Sequence, residues 1–167
     1  FIIHLVEKGG GGLEHLNSFV AQFARLNFSD EKLYKKFLGL VSHEYFHLWN
    51  VKRIRPFELG PFDYNNENYT KSLWIAEGWT SFFDNVFIRR CRLINDEEYF
   101  EFIENEYNDV MRFKGRFHQS LSESSFDAVI GNVPFANIKL THLGQRFALH
   151  DYFLAKSMDA LKPGGIL

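Results

Sequence analysis

Two histidines four residues apart, with a glutamate directly after the first, lie in the stretch VSHEYFHLWNVKRIRP and restrict this chain more than any other feature. On a helix, positions i and i+4 lie one above the other, about 6 Å apart, so His43 and His47 can aim their imidazoles at one ion. Glu44 is one step round, where its carboxylate reaches a water on that ion more easily than the ion itself. Zinc lowers the pKa of such a water toward neutrality and polarises a carbonyl, which gives a neighbouring glutamate a use as general base. The spacing predicts a helix from Glu31 to about Asn50 and a second element that brings a third ligand. Two partly buried packing histidines are the plain alternative, and the five-residue pattern does not separate the readings.

Glu77 does separate them. It follows His47 by thirty residues in SLWIAEGWTSFF, where the surrounding Leu, Trp, Ile and Phe predict burial, and a buried carboxylate is costly unless a cation compensates it. His43, His47 and Glu77 are thus candidate ligands for Zn2+, with Glu44 as candidate base. Ser81 and Asp84 lie on the same side of their helix as Glu77 and could orient the ligands, although a plain helix-surface role suits them equally.

Ser29 or Asp30 is a good N-cap for the first helix, on which Leu33, Phe37, Leu40 and Val41 recur at helical spacing. Before it, Phe1 to Glu7 is short, apolar and β-branched and reads as a strand, ending in a turn at the glycine run Gly9 to Gly12. Those glycines match no phosphate-loop pattern. The segment RPFELGPFDYNNENYT reads as a loop, Thr70 as the cap of a second helix reaching Arg90, and Asn95 or Asp96 as the start of a third that Lys114 and Gly115 end. The second helix is apolar enough to predict burial on more than one side. Trp49, Trp74 and Trp79 are expected in the core, and Lys52, Arg53 and Arg55 at a solvated helix end whose dipole suits cations.

With 167 residues and 46% hydrophobic content, the chain can bury the core of a domain, and its formal net charge of −2 offers no general attraction to nucleic acid. No apolar run approaches the length of a membrane span. Cys91 is the single cysteine, so nothing points to an oxidising compartment; a soluble chain is the expectation, and its compartment stays open with the cytoplasm slightly favoured. The opening on Phe1, inside a strand-like stretch, reads as a fragment.

HEYFHLWNVKRIRP followed by LWIAEGWTSFFDN, and preceded by GGLEHLNS, resembles the glycyl aminopeptidase family of zinc metallopeptidases, whose full-length members carry a PDZ domain after the catalytic domain. The resemblance covers about Phe1 to Ala128. It implies an α+β, mainly α fold of the thermolysin-like gluzincin type with a short N-terminal β segment. It further implies His43, His47 and Glu77 as zinc ligands, Glu44 as base, and cleavage near the N-terminus of peptides with a preference for glycine or other small residues. Gly11 and Gly12 then resemble the family's substrate-side glycines, whose backbone lies along the peptide, and Glu14 the carboxylate that pairs with the substrate's α-amine. An ordinary glycine turn with a solvated glutamate is the alternative for those three.

Such aminopeptidases also need a donor for the oxyanion, commonly a tyrosine downstream of the glutamate ligand, expected in a Tyr-Tyr-x-Lys-Gly stretch that is absent here. Tyr99 and Tyr107 follow Glu77 but read as structural. The chain is therefore expected to bind zinc and to hydrolyse peptides weakly or not at all, which leaves a non-catalytic peptide-binding module as one alternative. From Phe126 onward the sequence resembles an N6-adenine DNA methyltransferase fragment, with FDAVI as a buried strand and Asn132, Pro134 and Phe135 in its adenine-binding loop. Residues 129–167 would then be a strand-loop-helix tail separate from residues 1–128, and a methyltransferase remnant is the second functional reading.

Overall fold

The computed structural model describes residues 1–61, 68–127, 139–142 and 145–148. They form a mostly helical α+β arrangement with a three-stranded sheet and a separate two-stranded one, in two compact units: residues 1–55 with 74–114, and the described residues of 56–73 and of 115–148.

In the first unit, β1 (Ile2–Val6), β2 (Gly10–Glu14) and β3 (Phe19–Ala24) form a sheet of order β1-β3-β2. β3 runs parallel to β1 and antiparallel to β2, with Gly12 opposite Ala21 and Glu14 opposite Phe19. The expected turn at the glycine run is thus largely a strand. Sequence reasoning gave Gly9 to Gly12 to a turn because glycine weakens strands, whereas pairing with β3 holds Gly10 to Gly12 extended. β3 itself, FVAQFA, was not anticipated, although its β-branched and aromatic content is a strand signal.

α1 (Glu31–Phe46) starts where expected: Asp30 accepts a hydrogen bond from the Leu33 amide at 2.8 Å, and Glu31 lies in the positive first turn. The apolar stripe of α1 meets the sheet, where Phe19, Ala21 and Phe37 are buried with Phe23, Phe28, Leu40 and Val41 packed around them. Phe37 lies against both Phe23 and Phe28, at centroid distances of 5.1 and 4.9 Å. α1 ends four residues before the expected Asn50, and the chain continues in turns, with the Val51 and Lys52 amides both donating to the His47 carbonyl.

α2 (Leu73–Arg90) buries Ala76, Thr80, Asp84, Asn85 and Ile88, a single stripe at helical spacing rather than several faces. Phe46 of α1 packs on Phe83 and Phe87, and the Ser42 hydroxyl donates to the Asp84 carbonyl at 3.1 Å. The aromatics that suggested all-round burial lie elsewhere on α2: Trp74 and Trp79 are exposed, as is Trp49 beyond α1, which overturns the core expectation for all three. Aromatic content signalled apolarity but not which way each ring points.

α3 (Asp96–Arg112) carries a capping box, with Asn95 accepting from the Glu98 amide and Glu98 accepting from the Asn95 amide. Lys32 and Lys35 of α1 pair with Glu101 and Glu98, and Asn85 of α2 donates to Glu106 at 2.9 Å. In the second unit, α4 (Leu121–Asp127) includes Phe126 and Asp127, so the start of the expected FDAVI strand is helical, and β4 (Lys139–His142) pairs antiparallel with β5 (Gln145–Ala148). Asn132, Pro134 and Phe135 lie outside the described residues. Among the described residues, no helix is long and apolar enough to cross a membrane.

Candidate metal centre

The end of α1 and the first half of α2 bring His43, His47 and Glu77 to one point. The two Nε2 atoms are 3.0 Å apart, and Oε2 of Glu77 lies 3.3 Å from that of His43 and 3.4 Å from that of His47. Each imidazole is fixed from behind. Nδ1 of His47 donates to the Asn50 carbonyl at 2.7 Å, a partner that can only accept, and Nδ1 of His43 donates to Oδ2 of Asp84 at 3.0 Å. With Nδ1 protonated, a neutral imidazole presents a lone pair on Nε2, so both rings turn lone pairs toward the Glu77 carboxylate.

The electrostatics call for positive charge. Burial opposes protonation of His43, but its bonds to Asp84 and Glu77 override that and raise its pKa to about 10. His47 is also raised, burial again opposing and its bond to the Glu77 carboxylate prevailing. Burial works to raise Glu77, yet the two histidines hold it down at about 2. At 3.0 Å the two Nε2 atoms can share at most one proton between them, whereas a divalent cation at the meeting point would engage both lone pairs and the Glu77 carboxylate at once.

Glu44 stands beside the cluster. It is 4% exposed, its Oε2 has no hydrogen-bond partner among the described residues, and burial, opposed by the charges of the two histidines, pushes its pKa up to about 7. An orphaned buried oxygen is costly and calls for a donor such as a water on a bound ion. The glycines explain why Glu44 fits there. A Cβ on Gly12 would fall 2.2 Å from the Glu44 carboxyl, so the strand can pass this close only without a side chain. At Gly11, φ is +137°, a conformation that L side chains rarely adopt.

Glu14 forms an ion pair with Lys52 at 3.0 Å, both groups mostly buried, and the Arg53 guanidinium donates to the Leu16 and Leu48 carbonyls. Lys52 and Arg53 thus tie the turns after α1 to the β2 hairpin, while Arg53 and Arg55 stay exposed as expected. The basic run alone does not show that a strand lies beside it.

Glu77 corrects the sequence argument in one respect. Its side chain is about half exposed, at 49%, so apolar neighbours do not bury it, and the negative charge is focused by the histidines instead. Of the two candidate orienting residues, Asp84 reaches His43, while Ser81 engages Asn85 through its backbone carbonyl. Asn50 was missed altogether. Its signal in the sequence was its place three residues after His47, within the turn that closes the helix.

Residues 36–152 match the family model for M61 glycyl aminopeptidase. The chain is also similar to a crystal structure of an aminopeptidase N family protein from Idiomarina loihiensis, with a TM-score of 0.70 and 35% identity over 75% of this chain. It spans 22% of the length of that protein. No curated protein matches the chain.

Proposed function

The chain belongs to the M61 glycyl aminopeptidase family, and from that premise we propose that it carries the zinc-binding and proton-transfer groups of a metalloaminopeptidase. The observation that carries the reading is the convergence of three donor atoms at 3.0 to 3.4 Å. Tetrahedral zinc with ligand bonds near 2.0–2.1 Å requires donors about 3.3 Å apart, so His43, His47 and Glu77 fit it without rearrangement. A thermolysin-like arrangement, two histidines from one helix and a glutamate from the next, follows from that set.

Zinc bound there would polarise the scissile carbonyl and lower the pKa of the attacking water. The protein's own part rests on Glu44. Its buried Oε2, without a hydrogen-bond partner among the described residues, is placed to accept a proton from the attacking water and to pass it to the leaving amine. Asp84 and the Asn50 carbonyl keep His43 and His47 in the tautomer whose Nε2 faces the centre. β2 is an edge strand, and a peptide added along its free side would place its scissile bond beside Gly12 and Glu44. Gly11 and Gly12 would hydrogen-bond the substrate backbone, and Glu14, which already holds the Lys52 ammonium, has the chemistry to hold a substrate α-amine. An amine held there would direct cleavage near the N-terminus, and the preference for glycine or other small first residues is carried over from the family. Tyr107 is exposed on α3 and Tyr99 packs edge-on against Phe100, which suits structural roles. Among the described residues neither tyrosine is assigned as an oxyanion donor, and slow turnover is the expectation for this chain.

The test is metal content followed by catalysis. Purified chain should carry about one zinc, held by three protein ligands with the fourth position left to water. Glu44→Gln should keep that zinc and lose the slow hydrolysis of a chromogenic glycyl substrate. A chain that takes up no zinc, or a Glu44→Gln variant as active as its parent, would sink the reading.

A further inference from the structure

Asn50 contacts both halves of the centre. Its backbone carbonyl receives the His47 Nδ1 proton at 2.7 Å. Its side-chain Nδ2 donates to the carbonyls of Ala76 at 3.0 Å and Ile75 at 3.3 Å, and to the Thr80 hydroxyl at 3.1 Å. Ile75 and Ala76 immediately precede Glu77, and Thr80 lies one turn beyond Ala76. Thr80 is fully buried and donates to the Ala76 carbonyl at 2.6 Å, so the acceptors that Asn50 grips are themselves held together. We propose that Asn50 is the positioning residue that sets the distance between the histidine pair and Glu77, joining the ligand-bearing turn of α2 to His47 through one side chain and one carbonyl.

The physical need is specific. Apolar packing between two helices fixes their separation but tolerates sliding and rotation, because dispersion is nearly non-directional. Two amide hydrogens shared among three acceptors on one turn fix both the height and the rotation of α2 against the end of α1. Glu77 is half exposed and reaches the centre by a flexible side chain, so its place depends on where its helix turn stands. The result is the near-equal approach of Oε2 to both imidazoles, at 3.3 and 3.4 Å. A residue that served only the turn after α1 would need its carbonyl and not its amide.

This inference rests on the metal reading, and the experiment separates the two. Zinc affinity of the full chain is measured by chelator competition for the parent, Asn50→Ala, Glu77→Gln and the double variant, with metal-free helicity followed by circular dichroism. If the parent binds no zinc, the metal reading itself fails. With the parent binding, Asn50→Ala should weaken zinc by roughly 10- to 100-fold, the range for outer partners of metal ligands. In the Glu77→Gln background it should add less than about twofold, because the ligand it positions is already gone. Cobalt(II) in place of zinc should give the intense visible absorption of a tetrahedral site in the parent and an altered spectrum in Asn50→Ala. Unchanged affinity and spectrum, or an equal loss with and without Glu77, would overturn the proposal. If Asn50→Ala loses helicity without metal, Asn50→Asp decides, since it keeps the carbonyl and the side-chain volume but exchanges the donor for an acceptor. Unfolding of both would assign Asn50 to the fold and likewise overturn the proposal.

Discussion

The histidine pair and Glu77 meet at one point but are held there by different means. His47 is almost fully buried and His43 largely so, and each ring is fixed at Nδ1 by an acceptor, the Asn50 carbonyl or Asp84. Glu77 is half exposed, and its carboxylate contacts the same rings it would share a metal with. One half of the centre is preorganised side chain by side chain, and the other through the position of its helix. Preorganisation of ligands removes an ordering cost that would otherwise oppose binding, so the two halves should respond differently to substitution.

The largest effect should come from His47→Ala. It removes a candidate ligand and takes the Nδ1 donor away from the Asn50 carbonyl, so zinc measured by mass spectrometry should fall from near one equivalent to background. Glu77→Gln should leave weak binding by the histidine pair. If Glu77→Gln strips the metal while His47→Ala keeps it, the contrast between the halves is wrong.

Gly12→Ala should come next and should act on rate alone. The added methyl occupies the space of the Glu44 carboxyl, so hydrolysis should drop by about 10²-fold or more, the contribution of a placed general base, while zinc content holds. Asp84→Asn follows. Its amide can no longer accept reliably from Nδ1 of His43, and zinc affinity should weaken by roughly 10- to 100-fold in a competition titration. A larger loss from Asp84→Asn than from His47→Ala would show that the orienting carboxylate, rather than the ring, is the dominant support.

The smallest effect should come from Asn95→Ala, which breaks the capping box of α3 away from the centre. It should lower stability by about 1 kcal/mol in denaturant unfolding of the metal-free chain, with zinc affinity unchanged. A change in zinc affinity there would mean that α3 reaches the centre through its bonds to α1 and α2.

Much of the site was legible because helical periodicity converts spacing directly into geometry. His43, Glu44 and His47 followed from i and i+4 positions, and the caps at Asp30 and Asn95 from residue chemistry. Glu77 was also found, although the burial argued for it was too great. The errors share another origin. The glycine run was assigned to a turn, β3 was missed, and Lys52 was assigned to solvent, because each depends on a partner distant in the chain.

The sequence by itself determined the placement of His43, His47 and Glu77 on neighbouring helical segments and the family, since those follow from local spacing and from long specific strings. Only the tertiary structure decided that Gly12 leaves room for Glu44, that Asp84 rather than Ser81 orients His43, and that Asn50 links the two helices. Hydrogen bonds act over about 3 Å, and which groups come that close is set by packing between elements rather than by order along the chain.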